Sequence, residues 1–216
     1  MREPVPEIWR VAALLSDAAD AHIAGDRRKA DALFREANCA VARGWLESLW
    51  GSAKRNPDQA YYRRVRNVTN APPLLAKCER EPCRMPNAAE RKVLIEKFTR
   101  HCVFCGIPLI RAEVRQLLSR HYPEAVTWGN TNPSQHAGFA VLWMQFDHVL
   151  PHSRGGTSSL SNMILTCAGC NYGRMHNTLE ELGLLDPRTR EYPKTNWDGV
   201  ERVFSANTGD ISITGA

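Results

Sequence analysis

The stretch FDHVLPHSRGG, residues 146–156, lies between two Cys-x-x-Cys pairs, CVFC at 102–105 and CAGC at 167–170. Two residues between thiolates let both sulfurs turn toward one ion, and two such pairs complete the four-sulfur tetrahedron that structural zinc prefers. Four buried cysteines without a metal are the alternative, which the repeated spacing disfavours. The expected ligands of a structural Zn²⁺ are Cys102, Cys105, Cys167 and Cys170.

The segments around the second cysteine pair predict two strands followed by a helix. An apolar run at 141–144 predicts a strand that carries Asp147 and His148 at its end. A glycine pair separates it from a second short strand at 162–167, and we expect a helix over 170–182. The result is a compact ββα unit, which the zinc would pin to the segment that holds the first cysteine pair.

The order of these motifs resembles the HNH endonuclease family, which has a ββα-metal nuclease fold. The order is Cys-x-x-Cys, then Asp-His-x-x-Pro-x-Ser-Arg-Gly-Gly, then Asn, then Cys-x-x-Cys-Asn-x-x-Arg, over about residues 98–185. Asn162 follows His148 by 14 residues and Asn171 follows it by 23, which is similar to the HNH domain of RNA-guided CRISPR nucleases. Asn171 stands where a histidine is more usual, a variant that occurs within the family.

The residue types in this segment suit phosphodiester hydrolysis, which needs a deprotonated water and a divalent cation. His148 titrates near neutrality and is the expected general base. The resemblance implies that Asp147 and Asn171 ligate the catalytic metal, and oxygen ligands suit Mg²⁺ or Mn²⁺ better than zinc. It also implies that Asn162 holds the loop and orients the His148 ring. Weaker candidates are His152, His176 and Asn177.

Positive charge is concentrated in the middle of the chain, where residues 51–120 hold 15 Lys/Arg against 6 Asp/Glu. Within it, a basic stretch at 54–66 surrounds Tyr61 and Tyr62, a combination that suits a phosphate backbone and could stack a base. A solvated helix face is the alternative. The arginines expected to contact nucleic acid are Arg63, Arg64 and Arg66 from this stretch, with Arg154 and Arg174 from the HNH-like segment.

The N-terminal part predicts helices and carries no catalytic constellation. Apolar residues recur at helical spacing over 8–23, Gly25 can end that helix, and Asp26 can cap a second helix that runs to Gly51. A further short helix over 58–68 is expected. The expected domains are a helical domain at 1–68, a linker and basic helix at 69–97, a nuclease domain at 98–185 with an insertion at 110–141, and an extension at 186–216.

The composition, with 24% charged residues in 216, is that of a globular protein. No apolar run approaches the roughly 18 residues that a membrane span needs, and the N-terminus lacks the apolar stretch of a secretory signal. We therefore expect a cytoplasmic protein without membrane contact. Cys39 is expected in the core, and Cys78 and Cys83 in a loop, although the spacing of the latter two is compatible with a metal site.

The sequence therefore predicts an α+β protein, mainly helical, with a small zinc-stapled ββα-metal HNH nuclease domain. The resemblance implies an endonuclease that nicks or cuts DNA and leaves a 5′-phosphate and a 3′-hydroxyl. A restriction or phage-defence system is the favoured context, with a protein partner for the N-terminal helices. The alternatives are a non-catalytic zinc module that binds nucleic acid, and a nuclease that acts on RNA.

Overall fold

In the computed structural model, which describes residues 2–49, 65–192 and 194–206, the chain begins with the predicted helical hairpin. Helix α1 spans Glu7–Ile23 and helix α2 spans Arg27–Ala37. Gly25 adopts a left-handed φ of 78° in the turn between them. The Asp26 carboxylate accepts a hydrogen bond from the Lys29 amide at 3.0 Å and caps α2 as the sequence predicts.

The predicted second helix is wrong in one respect, because it is two helices. α2 ends at Ala37, and α3 spans Ala40–Leu49. At the break, the Asn38 side chain accepts a hydrogen bond from the Ala137 amide at 2.7 Å, so the interruption is stabilised by a distant segment. Val41, an apolar residue at the start of α3, is 51% exposed.

The basic middle of the chain is described only in part. Most of the short helix predicted over 58–68 lies outside the described residues, and 65–68 are not helical. Residues 75–85, here called the strap, are irregular apart from a single 3₁₀ turn at Lys77–Glu79. Helix α4 then spans Ala88–Lys97, and its N-terminus is closed by reciprocal hydrogen bonds between Asn87 and Glu90.

The predicted insertion contains two helices joined by a loop. Helix α5 spans Ala112–His121 and helix α6 spans Ala137–Val141. Between them, residues 128–136, here called the insertion loop, are closed by an isolated bridge between Trp128 and Gln135. The apolar run at 141–144 is therefore not the start of the strand, because Val141 ends α6.

The ββα unit follows directly. Strand β1, Met144–His148, pairs antiparallel with β2, Met163–Cys167, and Asp147 lies opposite Ile164. Helix α7 spans Ala168–Arg174 and starts inside the second cysteine pair. The helix expected over 170–182 is wrong in extent, because Met175 takes a positive φ of 54° and ends it. Two short helices follow, α8 at Leu179–Leu182 and α9 at Val203–Ala206.

These elements share one hydrophobic core, and the α+β prediction is confirmed. α3 packs against α6 and α7, and α4 packs against β2. Buried residues of the N-terminal helices, the insertion and the ββα unit belong to the same cluster, so the core continues across the expected domain boundaries. Among the described residues, no helix is both long and apolar enough to cross a bilayer.

Candidate active site and metal centre

The four cysteines of the two Cys-x-x-Cys pairs come together as predicted. Their sulfur atoms all lie within 4.8 Å of one another, and Cys105 Sγ is 3.8 Å from Cys167 Sγ. A tetrahedral zinc with sulfur ligands at about 2.3 Å would place its sulfurs about 3.8 Å apart, so the cluster fits such an ion. Burial raises the pKa of the Cys167 thiol well above its usual value, and a bound cation would offset that cost.

The cysteine cluster holds the ββα unit in position. The first pair sits in a turn after α4, and the Val103 amide donates to the Leu165 carbonyl on β2 at 3.0 Å. The second pair spans the junction of β2 and α7, where the Cys170 amide donates to the Cys167 sulfur at 3.3 Å. A metal here would therefore fix the start of α7 against both β2 and the preceding turn.

The predicted base His148 and the two predicted metal ligands, Asp147 and Asn171, line one groove. A groove of about 920 Å³ is bordered by Asp147 and His148 at the end of β1 and by Asn171 on α7. A second cavity of about 430 Å³ is bordered by the same three residues. Adjacent residues of a regular strand point to opposite faces, and Asp147 and His148 both reach these cavities because β1 ends at His148.

The Asp147 carboxylate is buried and paired with an arginine. Its Oδ2 atom accepts hydrogen bonds from Arg174 Nη2 at 2.7 Å and Nε at 3.1 Å, and its Oδ1 atom accepts one from the His148 amide at 2.8 Å. Burial raises the pKa of Asp147, and the Arg174 charge opposes that rise. A carboxylate has about four acceptor positions, and among the described residues Oδ1 accepts only the bond from the His148 amide.

His148 is buried at the floor of the groove. Its Nε2 atom lies 3.1 Å from the Ser158 hydroxyl, and its ring lies 5.4 Å from the His152 ring, measured between centroids. Burial, followed by the nearby charges of His152, Arg84 and Arg174, lowers the pKa of His148 to about 4. The imidazole is therefore neutral at pH 7 and available to accept a proton.

Asn162 holds the loop between the strands. Its Oδ1 atom accepts from the Leu150 amide at 2.9 Å, and its amide nitrogen donates to the carbonyls of Leu150 at 3.1 Å and Thr157 at 2.8 Å. The same loop needs Gly156, because a Cβ atom there would lie 1.8 Å from the Leu150 carbonyl oxygen. These bonds lie within the loop, and none of the described hydrogen bonds joins Asn162 to the His148 ring, which contacts Ser158 instead.

The two arginines assigned to phosphate do not face the groove, which corrects that expectation. The Arg174 side chain is 0% exposed, and besides Asp147 it donates to the carbonyls of Val149, His148 and Asn177. Arg154 is also largely buried, and its guanidinium donates to Pro72, His176 and Glu181. Both arginines therefore support the loops instead of binding a ligand.

Other cations border the site, and sequence analysis missed them. The strap residues Lys77, Arg80 and Arg84 line the second cavity, and Arg84 also lines the groove. Isolated basic residues in an irregular segment form no periodic pattern, so their position at the site is evident only from the tertiary structure. Of the basic stretch, Arg63 and Arg64 lie outside the described residues, whereas Arg66 is exposed and its amide donates to the Glu181 carbonyl at 2.7 Å.

The lining of the groove also includes polar side chains of the insertion loop, Asn132 and Gln135. The N-terminal helices hold this loop. Arg43 on α3 donates at 2.6 Å to the Asn132 carbonyl and at 2.6 Å to the Gln135 carbonyl. In addition, His136 Nε2 donates to the Phe34 carbonyl on α2 at 2.7 Å.

Comparison with known families agrees with this geometry. Residues 140–176 match the family model described as HNH endonuclease. This match confirms the resemblance seen in the sequence, and it covers the segment that contains Asp147, His148, Asn162 and Asn171. No significant match was found among curated proteins or among solved structures. The chain thus contains a segment that matches the HNH endonuclease family model, and two cysteines of that segment belong to a four-cysteine cluster able to hold a metal. Such a segment supports a nuclease-type, metal-dependent function on nucleic acid.

Proposed function

We propose that this protein is a metal-dependent endonuclease that hydrolyses DNA phosphodiester bonds in the groove beside β1 and α7. The observation that carries the proposal is that Asp147, His148 and Asn171 border the same groove. The two sides of the site complement a nucleic acid, because cations of the strap suit phosphates and amides of the insertion loop suit base edges. A non-catalytic module would not require this complete set of side chains.

Two metal sites of different chemistry are part of the proposal. Asp147 Oδ1 and the Asn171 side-chain oxygen would hold a hard cation, Mg²⁺ or Mn²⁺, and no hydrogen bond between Asn171 and another described side chain competes for that role. When bound, the cation would neutralise charge on the phosphate and the leaving oxygen. The four cysteines would hold Zn²⁺ as a structural ion.

Three further roles in hydrolysis would belong to side chains of the protein itself. Neutral His148 would take a proton from the attacking water, because its low pKa keeps a lone pair on the ring at pH 7. Arg174 would keep Asp147 ionised and oriented through the 2.7 Å ion pair. Arg84, which borders both cavities, would contact a phosphate of the bound strand.

The biological setting belongs to the same proposal. The resemblance to HNH nucleases with extra helical domains favours a restriction or phage-defence system. In that setting the N-terminal helices would bind a protein partner. Whether the enzyme nicks or cuts, and whether it prefers DNA to RNA, depends on contacts outside the catalytic residues, since both polymers present the same phosphodiester.

Cleavage of supercoiled plasmid tests the proposal. We expect purified protein to produce open-circular or linear DNA with Mg²⁺ or Mn²⁺, but not with EDTA or with Zn²⁺ alone. His148→Ala should lower the rate by roughly 10²- to 10⁴-fold while DNA binding persists, because only the base is lost. His121→Ala, a histidine at the end of α5, serves as the matched control. Equal rates for His148→Ala and the wild type would contradict the proposal, and an RNA substrate of the same sequence tests the alternative.

A further inference from the structure

We propose that Ser158 is a positioning residue that fixes the tautomer and orientation of the His148 ring, and that the strap holds Ser158 in place. The inference rests on the proposed role of His148 as the base. It assigns a function to the strap, which lies outside the segment that matches the HNH family model. It also explains how His148 is oriented although no hydrogen bond joins its ring to Asn162.

The hydrogen bonds of the Ser158 hydroxyl determine which nitrogen of His148 carries the ring proton. The Ser158 hydroxyl has one proton, and its Oγ atom lies 2.6 Å from the Cys83 carbonyl oxygen, which can only accept. Ser158 therefore donates to Cys83. Its Oγ atom must then act as an acceptor toward His148 Nε2 at 3.1 Å, so Nε2 carries the ring proton. The lone pair of the neutral ring is left on Nδ1, the only nitrogen able to accept a proton from water.

The strap holds Ser158 through two hydrogen bonds. The Ser158 amide donates to the Glu81 carboxylate at 2.5 Å, in addition to the hydroxyl bond to Cys83. The backbone carbonyl of Glu81 also accepts a hydrogen bond from His152 Nε2 at 2.8 Å. In addition, the Leu75 amide donates to the Ser153 carbonyl at 2.9 Å. These contacts tie the strap along the loop that follows β1.

Among the described residues, few other groups could fix the tautomer of the His148 ring. Ser158 is 9% exposed, so water has little access to replace its hydroxyl. Every polar atom of the Asn162 side chain is already used within the loop, by Leu150 and Thr157. In the part of the chain that the structure describes, the His148 ring makes one hydrogen bond, to Ser158, so without the Ser158 hydroxyl none of the described residues would distinguish the two neutral tautomers.

Nitrogen NMR of the histidine side chains tests the tautomer without any need for activity. Full-length protein with ¹⁵N-labelled histidine is measured at pH 8 without added Mg²⁺, and the His148 signals are assigned by their loss in His148→Ala. We expect a protonated Nε2 and an unprotonated Nδ1 in the wild type, and signals averaged between tautomers in Ser158→Ala. A protonated Nδ1 in the wild type, or an unchanged pattern in Ser158→Ala, would overturn the inference.

Kinetics provide the second readout. Ser158→Ala should lower kcat roughly 10- to 100-fold with KM unchanged, a usual loss when the partner of a catalytic group is removed. Ser158→Thr keeps the hydroxyl and should restore kcat, whereas Ser159→Ala removes an exposed neighbouring hydroxyl and should have no effect. Unfolding is monitored for each variant, and a kcat loss that tracks lost stability, or a full kcat in Ser158→Ala, would reject the positioning role. An inactive wild type would instead reject the proposed nuclease function, and the NMR result would still decide the role of Ser158.

Discussion

Arg174 is a buried cation that forms an ion pair with the Asp147 carboxylate. In the sequence, an arginine beside a nuclease motif suggests a phosphate contact, because a guanidinium matches phosphate oxygens. In the structure its side chain is 0% exposed and joins Asp147 to the backbone carbonyls that surround it. A buried carboxylate needs a partner to stay charged, so this arginine serves the predicted metal ligand rather than the substrate.

Arg174→Ala should therefore lower the free energy of unfolding, instead of selectively weakening nucleic-acid binding. Removing one partner of a buried pair costs about 3–5 kcal/mol, because the other charge is left uncompensated. Urea denaturation measures the change. Arg84→Ala is the matched control, since Arg84 is exposed at the groove; it should leave unfolding nearly unchanged and lower the salt dependence of DNA binding. Equal stabilities for the two variants would disprove the structural role of Arg174.

At the scale of elements, the features that could be predicted are those determined by residues close together in the sequence. The hairpin turn at Gly25 and Asp26, the two strands and the cysteine cluster all follow from spacing and capping, and the structure contains them. The break at Asn38 could not be predicted, because the hydrogen bond that supports it comes from Ala137, 99 residues away. Similarly, α7 ends at Arg174, where the side chain turns back to bind β1, although the sequence continues with helix-compatible residues.

The side chains proposed to act in catalysis follow the same division. Asp147, His148 and Asn171 are identified by their spacing, which is a local property of the chain. Ser158 and the strap cations are not, because their roles depend on the path of an irregular segment. His136 is a further example, because its ring is buried between the insertion and α2 and bonds to Phe34, 102 residues away in the chain.

His136 makes the stability of this junction depend on pH. Burial lowers the pKa of His136 to about 4 from its usual 6.5, and its neutral ring both donates to Phe34 and accepts from the Phe139 amide. Between these values the unfolded chain binds the extra proton, so stability is full above about pH 6.5 and falls as the pH drops toward 4. The full loss is about 3 kcal/mol.

Denaturation of wild type and His136→Gln at several pH values measures this effect. The glutamine variant does not titrate, so the wild-type advantage at pH 7.5 should shrink as the pH falls to 4.5. Other histidines contribute equally to both proteins and cancel in the difference. A difference that stays constant with pH would show that His136 is not buried in its neutral form.

At the scale of the whole molecule, the groove is assembled from distant parts of the chain. The N-terminal helices fix the insertion loop through Arg43, and the strap is joined through Glu81 to Ser158 in the loop between β1 and β2. The ββα unit between them is small, with a sheet of two strands. Two strands rarely persist alone, so the unit depends on the shared core and on the cysteine cluster for its position.

The cysteine cluster should therefore control the fold as well as the site. We expect one zinc per chain by elemental analysis, in addition to any ion required for cleavage, and a lower melting temperature and faster proteolysis after chelation. Cys170→Ser should reproduce these effects, because a structural zinc contributes its binding free energy to folding. Cys78→Ser, which removes an exposed thiol outside the cluster, should retain both zinc and stability. Folded, protease-resistant Cys170→Ser protein without zinc would mean that packing alone holds α7 against β2, and that the four sulfurs are a feature of the core instead of a metal site.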